Sequence, residues 1–374
     1  MRVAVLRERR PGERRVALLP DHLPRLRQAG IEVAVESDAG AEVGIPDDAY
    51  EAAGAYVGDD VIEGADLVLS VQPINLATAR ALREGTVTVS FLPTSQEIPL
   101  VRRMRECRLT SFSMDLIPRI ARAQPMDALS SQAMVAGYRA ALVAAERLPR
   151  FFPMLMTAAG TVRPATVLVL GAGVAGLQAI ATARRLGAVV MAYDVRKASA
   201  EEVASLGAKF VEIDLPPLEG GGGYAREMTE ERSKRQQELL APYVAEADAL
   251  ITTAAVPGRP APILVTAEMV SRMRPGSVVV DLVADQGGNV AGSVPGQELM
   301  AEGGVLIWGG QNVPSQMPVP ASQLYAQNVC NLILHMVEDG ELRPNFDDEI
   351  VASCCVTHQG EIMHAPTREL VPDA

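Results

Sequence analysis

The chain has 374 residues, 48% of them hydrophobic, which suits two or three domains with substantial cores and excludes disorder as the main state. Its 34 basic and 46 acidic residues give a net charge of −12. There is no strongly basic stretch, so nucleic-acid binding is not expected, because phosphate neutralisation needs clustered Lys and Arg. Aromatic residues make up only 4%, with a single tryptophan, Trp308, which also argues against stacking platforms for single strands.

In chain order, Met1 to Arg7 breaks into charge after four apolar residues and reads as a first strand rather than a signal peptide. Val3–Leu6, Glu32–Glu36, Leu67–Val71 and Val87–Leu92 are predicted strands, with helical segments such as Asp21–Ala29 between them. This alternation points to parallel α/β units. The polar stretch Arg119 to Gln132 follows. By composition it is either a solvated loop with Asp127 or Ser130 as a helix cap, or a binding loop. Asp127 to Arg150 reads as one long helix, with Met134, Tyr138, Leu142 and Val143 at helical spacing, and Thr161 to Pro164 ends that connection.

A second alternation begins at Thr166. Thr166–Leu170, Val189–Asp194, Lys209–Ile213, Ala249–Thr253, Ser277–Val283 and Val305–Gly309 are its predicted strands, a number that suits a doubly wound sheet with a nucleotide crevice. The uncharged run Ala165–Ala183 is nearly long enough to span a bilayer. Its β-branched opening and three glycines fit a buried strand, a tight turn and an apolar helix better. Pro216–Gly223 and the proline-rich Pro314–Pro320 look like mobile connections. Ser322 to about Gly340 is helical again, followed by a short tail.

Gly171-Ala172-Gly173-Val174-Ala175-Gly176 is a GxGxxG placed directly after a strand and at the start of a helix, with Asp194 ending the next strand. That context makes it a dinucleotide fingerprint. Gly171 permits the turn, Gly173 lets the backbone approach a pyrophosphate, and Gly176 lets helix and strand pack closely. The helix N-terminus, with Val174 and Ala175 in its first turn, then offers free N–H groups and a favourable dipole. Asp194 would accept from the adenosine ribose hydroxyls and repel a 2′-phosphate, which favours NAD over NADP, although Arg196 could host that phosphate.

Alcohol and amine dehydrogenases also move a proton, usually through His or Lys. None of His22, His335, His358 and His364 lies in the glycine-rich pattern, and no residue presents itself for that role. Cys107, Cys330, Cys354 and Cys355 form no CxxC pair, as in a reducing cytoplasm. Cys354, Cys355, His358 and His364 lack a standard zinc spacing, so no metal is expected. No GxSxG, Walker loop or HExxH is present.

The Arg119…Gln124…Asp127…Ser130 loop resembles the nicotinamide-binding loop of proton-translocating nicotinamide nucleotide transhydrogenases. The similarity is to domain I, the NAD(H)-binding component, a separate alpha-1 subunit where the enzyme is split. It extends over essentially the whole chain, through Glu13–Leu18, Met156–Val162, Asp194-Val195-Arg196, Gly222–Ala225, Thr252–Gly258 and Asn312–Ser315. The resemblance implies that Arg119 and Gln124 hold the nicotinamide carboxamide and ribose, with Asp127 and Ser130 as loop partners and Ile120 as a further cofactor contact. It places Asp194, Val195 and Arg196 at the adenosine ribose, Gly223 and Tyr224 on a loop that closes over nucleotide, and Gln236 and Ala255 at further contacts.

It also implies two Rossmann-like lobes with parallel sheets, the second inserted into the first. These are 1–130 with 321–374, and an NAD-binding domain over 131–320, with NADH between the lobes. The implied activity is hydride transfer from NADH to NADP on a partner subunit, coupled to proton movement by membrane partners. The implied assembly is a homodimer docked on the cytoplasmic side of the membrane, with no span of its own. Alanine dehydrogenases share this fold and the Arg15 region, and an alanine dehydrogenase-like oxidoreductase is the alternative. Where they carry lysines and a histidine, this chain has Leu69-Ser70-Val71-Gln72-Pro73 and Val89-Ser90-Phe91-Leu92-Pro93. Arg15 is left between a site role and a structural ion pair.

Overall fold

The computed structural model of the chain describes residues 1–215, 230–255 and 260–371. It divides into two compact units, Met1–Gln132 with Ser315–Ala374, and Ala133–Pro314. In the first unit, strands β1 (Arg2–Val5), β2 (Glu32–Glu36), β3 (Tyr56–Gly58), β4 (Leu67–Leu69), β5 (Val87–Ser90) and β6 (Thr110–Ser113) alternate with α1 (Leu23–Gln28), α2 (Asp47–Ala52), α3 (Leu76–Ala81) and α4 (Ile98–Glu106). β4, β5 and β6 bury every residue. Continuous burial is what a parallel strand needs when both faces of its sheet are covered. All neighbours in the order β6-β5-β4-β1-β2-β3 are parallel.

Helix α5 (Ala128–Arg147) follows. The expected plain connection after it is an exposed antiparallel hairpin, β7 (Leu155–Thr157) and β8 (Gly160–Val162). The second unit then runs through β9 (Thr166–Leu170), α6 (Val174–Arg185), β10 (Val189–Tyr193), α7 (Ser199–Ser205), β11 (Lys209–Phe210), α8 (Glu230–Glu246), β12 (Ala249–Thr252), α9 (Ala267–Ser271), β13 (Val278–Asp281), β14 (Glu298–Ala301) and β15 (Val305–Gly309). Its sheet order is β11-β10-β9-β12-β13-β15-β14, parallel except for β14. Strand order reverses between β9 and β12, and ligands of open α/β sheets bind at such a point. The uncharged Ala165–Ala183 run is β9, its turn and most of α6; no helix among the described residues is long and apolar enough to cross a membrane.

The chain then returns to the first unit with α10 (Pro318–His335), β16 (Val337–Glu338), β17 (Glu341–Leu342), α11 (Glu349–Cys354), β18 (Cys355–His358), β19 (Glu361–Ile362) and α12 (Ala365–Leu370). Two expectations change here. Pro314–Pro320 is not a loose connection: Val313–Gln316 is a 3-10 turn and α10 starts at Pro318. Proline suits a first helical turn, where its missing N–H has no partner to lose. The end of the chain is not a plain tail either. β18 adds antiparallel to β6, and β19 to β18, completing an eight-stranded sheet. Buried Ser111 and Thr357 hydroxyls meet across that pairing at 2.8 Å.

The expected fold class, α/β with two Rossmann-like lobes and the second inserted into the first, is the observed one. α10 buries Tyr325, Ala326, Val329, Leu332 and Ile333 in the first unit's core, and the Tyr325 hydroxyl donates to Ser70 O at 2.9 Å.

Candidate functional site

The second unit presents the glycine loop at its switch point. β9 ends at Leu170, and Gly171 turns the chain with φ +99°, a conformation that disfavours a side chain. A Cβ there would also lie 2.7 Å from Thr253 Oγ1, which donates to Gly171 O at 3.0 Å. Gly176 sits against the same turn; a Cβ would fall 1.8 Å from Gly171 O. Gly173 differs from both. It is the N-cap of α6, and a Cβ built on it meets nothing within 4 Å. No side chain caps this helix start, so the first-turn N–H groups, those of Val174 and Ala175 among them, face outward as donors. An oxyanion fits that arrangement.

Asp194 follows β10. Its Oδ2 accepts from Ala172 N at 2.8 Å, and its Oδ1 accepts from Arg196 N and Nε at 2.9 and 3.0 Å. Arg196 also donates to Ala172 O at 3.3 Å, and the Asp194 hydrogen bonds push its guanidinium pKa up. Arg196 is thus committed to the acidic residue and to the glycine loop, which weakens it as a host for a 2′-phosphate. Val195, half-buried, packs on the apolar cluster beneath. Gln236 on α8 is buried. Its Nε2 donates to Tyr193 Oη at 3.0 Å, and its Oε1 has no hydrogen-bond partner among the described residues. A buried acceptor of this kind fits a ligand donor. Ala255 directly follows Ala254, whose N–H and C=O are both held by the buried Asn289 side chain at 2.9 Å. Gly223 and Tyr224 lie outside the described residues.

In the first unit, Arg119 is exposed and Ile120 half-buried, ahead of a 3-10 turn, Ala121–Met126, that carries the exposed Gln124. Asp127 caps α5: its Oδ1 accepts from Ser130 N at 2.9 Å and its Oδ2 from Ser130 Oγ at 2.6 Å. Asp127 is therefore the cap and Ser130 its donor, the two loop residues for which binding is also expected. Arg15 is a buried ion pair: its Nε and Nη2 reach the two Glu13 carboxylate oxygens at 2.8 and 2.6 Å, and Nη1 reaches Gln132 Oε1 at 2.9 Å.

Carboxylates also take backbone donors at the strand ends of both sheets, as Asp194 does in the second unit. In the first unit, internal carboxylates take the backbone donors there. Glu8, beyond β1, accepts from Val71 N and Gln72 N beyond β4; Asp115 accepts from Leu92 N at 2.6 Å; Glu36 accepts from Arg7 N at 2.8 Å. The reversal between β1 and β4 is thus filled by the chain itself. Burial, with Glu13 nearby, pushes Glu8 up to about 7, against the pull of the two N–H donors. A carboxyl raised in the folded state stabilises fully below its unfolded value and loses that contribution as pH rises through 7. Glu8→Gln is accordingly expected to melt higher than the parent at pH 8, with the difference shrinking towards pH 5. Equal melting shifts at both pH values would show that Glu8 is not protonated in the folded state.

Sequence reasoning missed several residues that shape these sites. Gly137 in α5 is one, since a Cβ there would lie 2.0 Å from Ala175 O in the glycine helix; a glycine inside a helical pattern was a readable signal. Asn289 and Glu8 carried no local signal. The Cys354, Cys355, His358 and His364 residues of the C-terminal segment have structural uses. The thiols are buried, His358 Nδ1 meets Thr110 Oγ1 at 3.0 Å, and His364 Nδ1 meets Thr367 Oγ1 at 2.7 Å. Among the described residues no group of three or more His, Cys, Asp or Glu is placed to hold a metal ion.

Comparison with known proteins matches both portions of the chain. Residues 4–136 match the alanine dehydrogenase/PNT N-terminal domain and 140–365 the corresponding C-terminal domain. The first part of NAD(P) transhydrogenase subunit alpha from Rhodospirillum rubrum is 46% identical over 377 residues, covering 97% of this chain and 98% of the relative. A crystal structure of a transhydrogenase from Sinorhizobium meliloti superposes with a TM-score of 0.86 at 43% identity, covering 98% of this chain and 100% of that one. Alanine dehydrogenase 1 of Staphylococcus aureus is 28% identical over 372 residues, 97% of this chain and 94% of the relative. With both domains matched in order and the higher identities on one side of this group, the chain belongs to the NAD(P) transhydrogenase alpha-subunit family within the alanine dehydrogenase/PNT proteins.

Proposed function

We propose that the chain is the NAD(H)-binding component of a proton-translocating transhydrogenase, with NAD(H) as its substrate. The observation that carries this is the uncapped start of α6 behind Gly173, where donors and open space coincide at the switch point. Gly173, Val174 and Ala175 would receive the diphosphate, on a loop that Gly171 and Gly176 allow to form. Asp194, Val195 and Arg196 would receive the adenosine ribose, with Gln236, Ala255, Gly223 and Tyr224 as further contacts. Arg119, Ile120, Gln124, Asp127 and Ser130 would hold the nicotinamide and its ribose.

Hydride then passes from C4 of the reduced ring to C4 of NADP on a partner subunit, carrying both electrons with it. Neither ring gains or loses a proton at that step, so the transfer requires no acid or base from this chain. Its residues bind the ring, orient it and exclude water. Activity therefore depends on an NADP-binding subunit, and proton movement on a membrane-spanning one. We infer a homodimer held on the cytoplasmic side of the membrane through these partners.

Hydride exchange between NADH and an NADP analogue tests the reading. It should appear only when the NADP-binding partner is added. Alanine-dependent NAD reduction by the chain alone would overturn it. Within this assay Gln124→Asn should slow transfer by about 10-fold or more, while NADH affinity changes less than about 3-fold, because ring placement is disturbed more than binding. Equal losses would remove Gln124 from a positioning role.

A further inference from the structure

The Pro125–Ser131 segment is tied down from α10, a helix about 200 positions further along the chain. Asn328, buried at 7% exposure, donates from Nδ2 to Pro125 O at 2.9 Å, and its Oδ1 lies 2.7 Å from the Ser131 hydroxyl. The Pro125 carbonyl can only accept, so the amide nitrogen must face it, which fixes the orientation of the side chain. Asn331, one turn along α10, donates to the same carbonyl at 2.9 Å and is itself held by Arg25 Nη1 at 2.9 Å. Two amides therefore converge on one backbone oxygen, next to Gln124. One of them also reaches the far side of the segment carrying Asp127 and Ser130.

Packing does not require this. Neighbouring α10 positions bury Val329, Leu332 and Ile333, and an apolar residue would fill the same space without needing partners. Proline has no N–H of its own to anchor the turn. The segment Pro125–Ser131 is held instead at its two ends by a single side chain. Arg15 reinforces the second end through Gln132, whose Nε2 donates to Ala321 O at 3.0 Å.

We propose that Asn328, backed by Asn331, is a positioning residue for hydride transfer. It fixes the Pro125–Ser131 segment, and so sets where Gln124, Asp127 and Ser130 place the nicotinamide. This rests on the reading that the loop holds the ring. The second unit supplies the contacts to diphosphate and adenosine in that reading, so loosening the clamp should cost rate rather than affinity.

The test is single-turnover hydride transfer from NADH to an NADP analogue, using the full chain with its NADP-binding partner, beside NADH titration of the same variants. Asn328→Ala should slow transfer about 10- to 100-fold, with NADH affinity changed less than about 3-fold, the split expected of misplacement by a fraction of an ångström. Asn328→Asp keeps an acceptor for Ser131 but cannot donate to Pro125, and should be as slow. Should the Asn328 variants not fold, Asn331→Ala decides: slower transfer at unchanged affinity supports the clamp, and an unchanged rate overturns it. Equal losses of rate and affinity in Asn328→Ala also overturn it, as a structural role would give that result. Gln124→Asn in the same assay separates the two levels. Normal transfer in that variant sinks the loop reading itself. Slow transfer there, with a normal rate in Asn328→Ala, sinks only the clamp.

Discussion

Gly173→Ala is expected to reduce NADH affinity by about 100-fold or more while the protein melts within a few degrees of the parent. An added methyl meets nothing within 4 Å, and the residue sits at φ −77° and ψ −168°, which alanine adopts freely. Alanine is a poorer N-cap than glycine, but it also restricts the unfolded chain, so the net stability change should stay within about 1 kcal/mol. For a unit of this size that is a shift of roughly 2–4 °C. The space the methyl enters is the space a diphosphate would need to reach the α6 N–H donors. Losing that approach by about 100-fold corresponds to about 2.7 kcal/mol.

Gly176→Ala is the contrasting case. Its methyl would lie 1.8 Å from Gly171 O, a backbone atom that cannot swing aside. Overpacking of this kind costs about 1–3 kcal/mol or more, so both melting temperature and affinity should fall. NADH titration and thermal melts of the two variants would separate a ligand glycine from a packing glycine. Unchanged affinity in Gly173→Ala would remove that residue from the phosphate site.

Those roles are legible in the sequence, because the motif lies between a strand and a helix and each glycine answers a local constraint. β2, β9 and β15 are legible for a similar reason: five apolar or alternating residues bounded by turns. β6 and β18 are not. Their sequences, Thr-Ser-Phe-Ser and Cys-Val-Thr-His, are polar, and they become strands because Ser111 and Thr357 satisfy each other across 246 positions of chain. β14 is an exposed edge with only partial burial and no strong apolar run.

The site shows the same division. The glycine loop can be argued from spacing, whereas Arg119, Gln124, Asp127 and Ser130 are a polar turn whose composition is equally that of a helix cap. Only the resemblance separated the two uses, and the geometry shows Asp127 capping the helix, with Ser130 donating to it. The groups that hold this loop, Asn328 and Asn331, come from the far end of the chain. No local pattern announces them.

The buried Glu13–Arg15 pair supports the second large expected effect. Glu13→Ala should cost about 3–5 kcal/mol, because it removes both carboxylate bonds of a guanidinium that is 4% exposed. Replacing the two together, as Glu13→Leu with Arg15→Met, should recover much of that loss, since the buried charge that lost its carboxylate is removed as well. The pH dependence gives an independent check. Burial alone would raise the Glu13 carboxyl, but the Arg15 hydrogen bonds and charge, with Gln72, hold it at about 2. A carboxyl lowered in the folded state stabilises above its unfolded value near 4.5 and loses that contribution as pH falls towards 2. The gap in unfolding free energy between parent and Glu13→Ala should therefore narrow below pH 4.5. For Glu8, five positions earlier, the gap to its glutamine variant opens in the other direction, above pH 5. The opposite slopes follow from burial weighed against partners: at Glu8 burial, helped by a neighbouring carboxylate, outweighs two backbone N–H donors, while at Glu13 the guanidinium overcomes burial. Urea melts of both variants between pH 4 and 8 would resolve the two, with Glu13→Ala followed further down to pH 3. A gap for Glu13→Ala that stays constant from pH 6 to pH 3 would show that Glu13 does not ionise against Arg15.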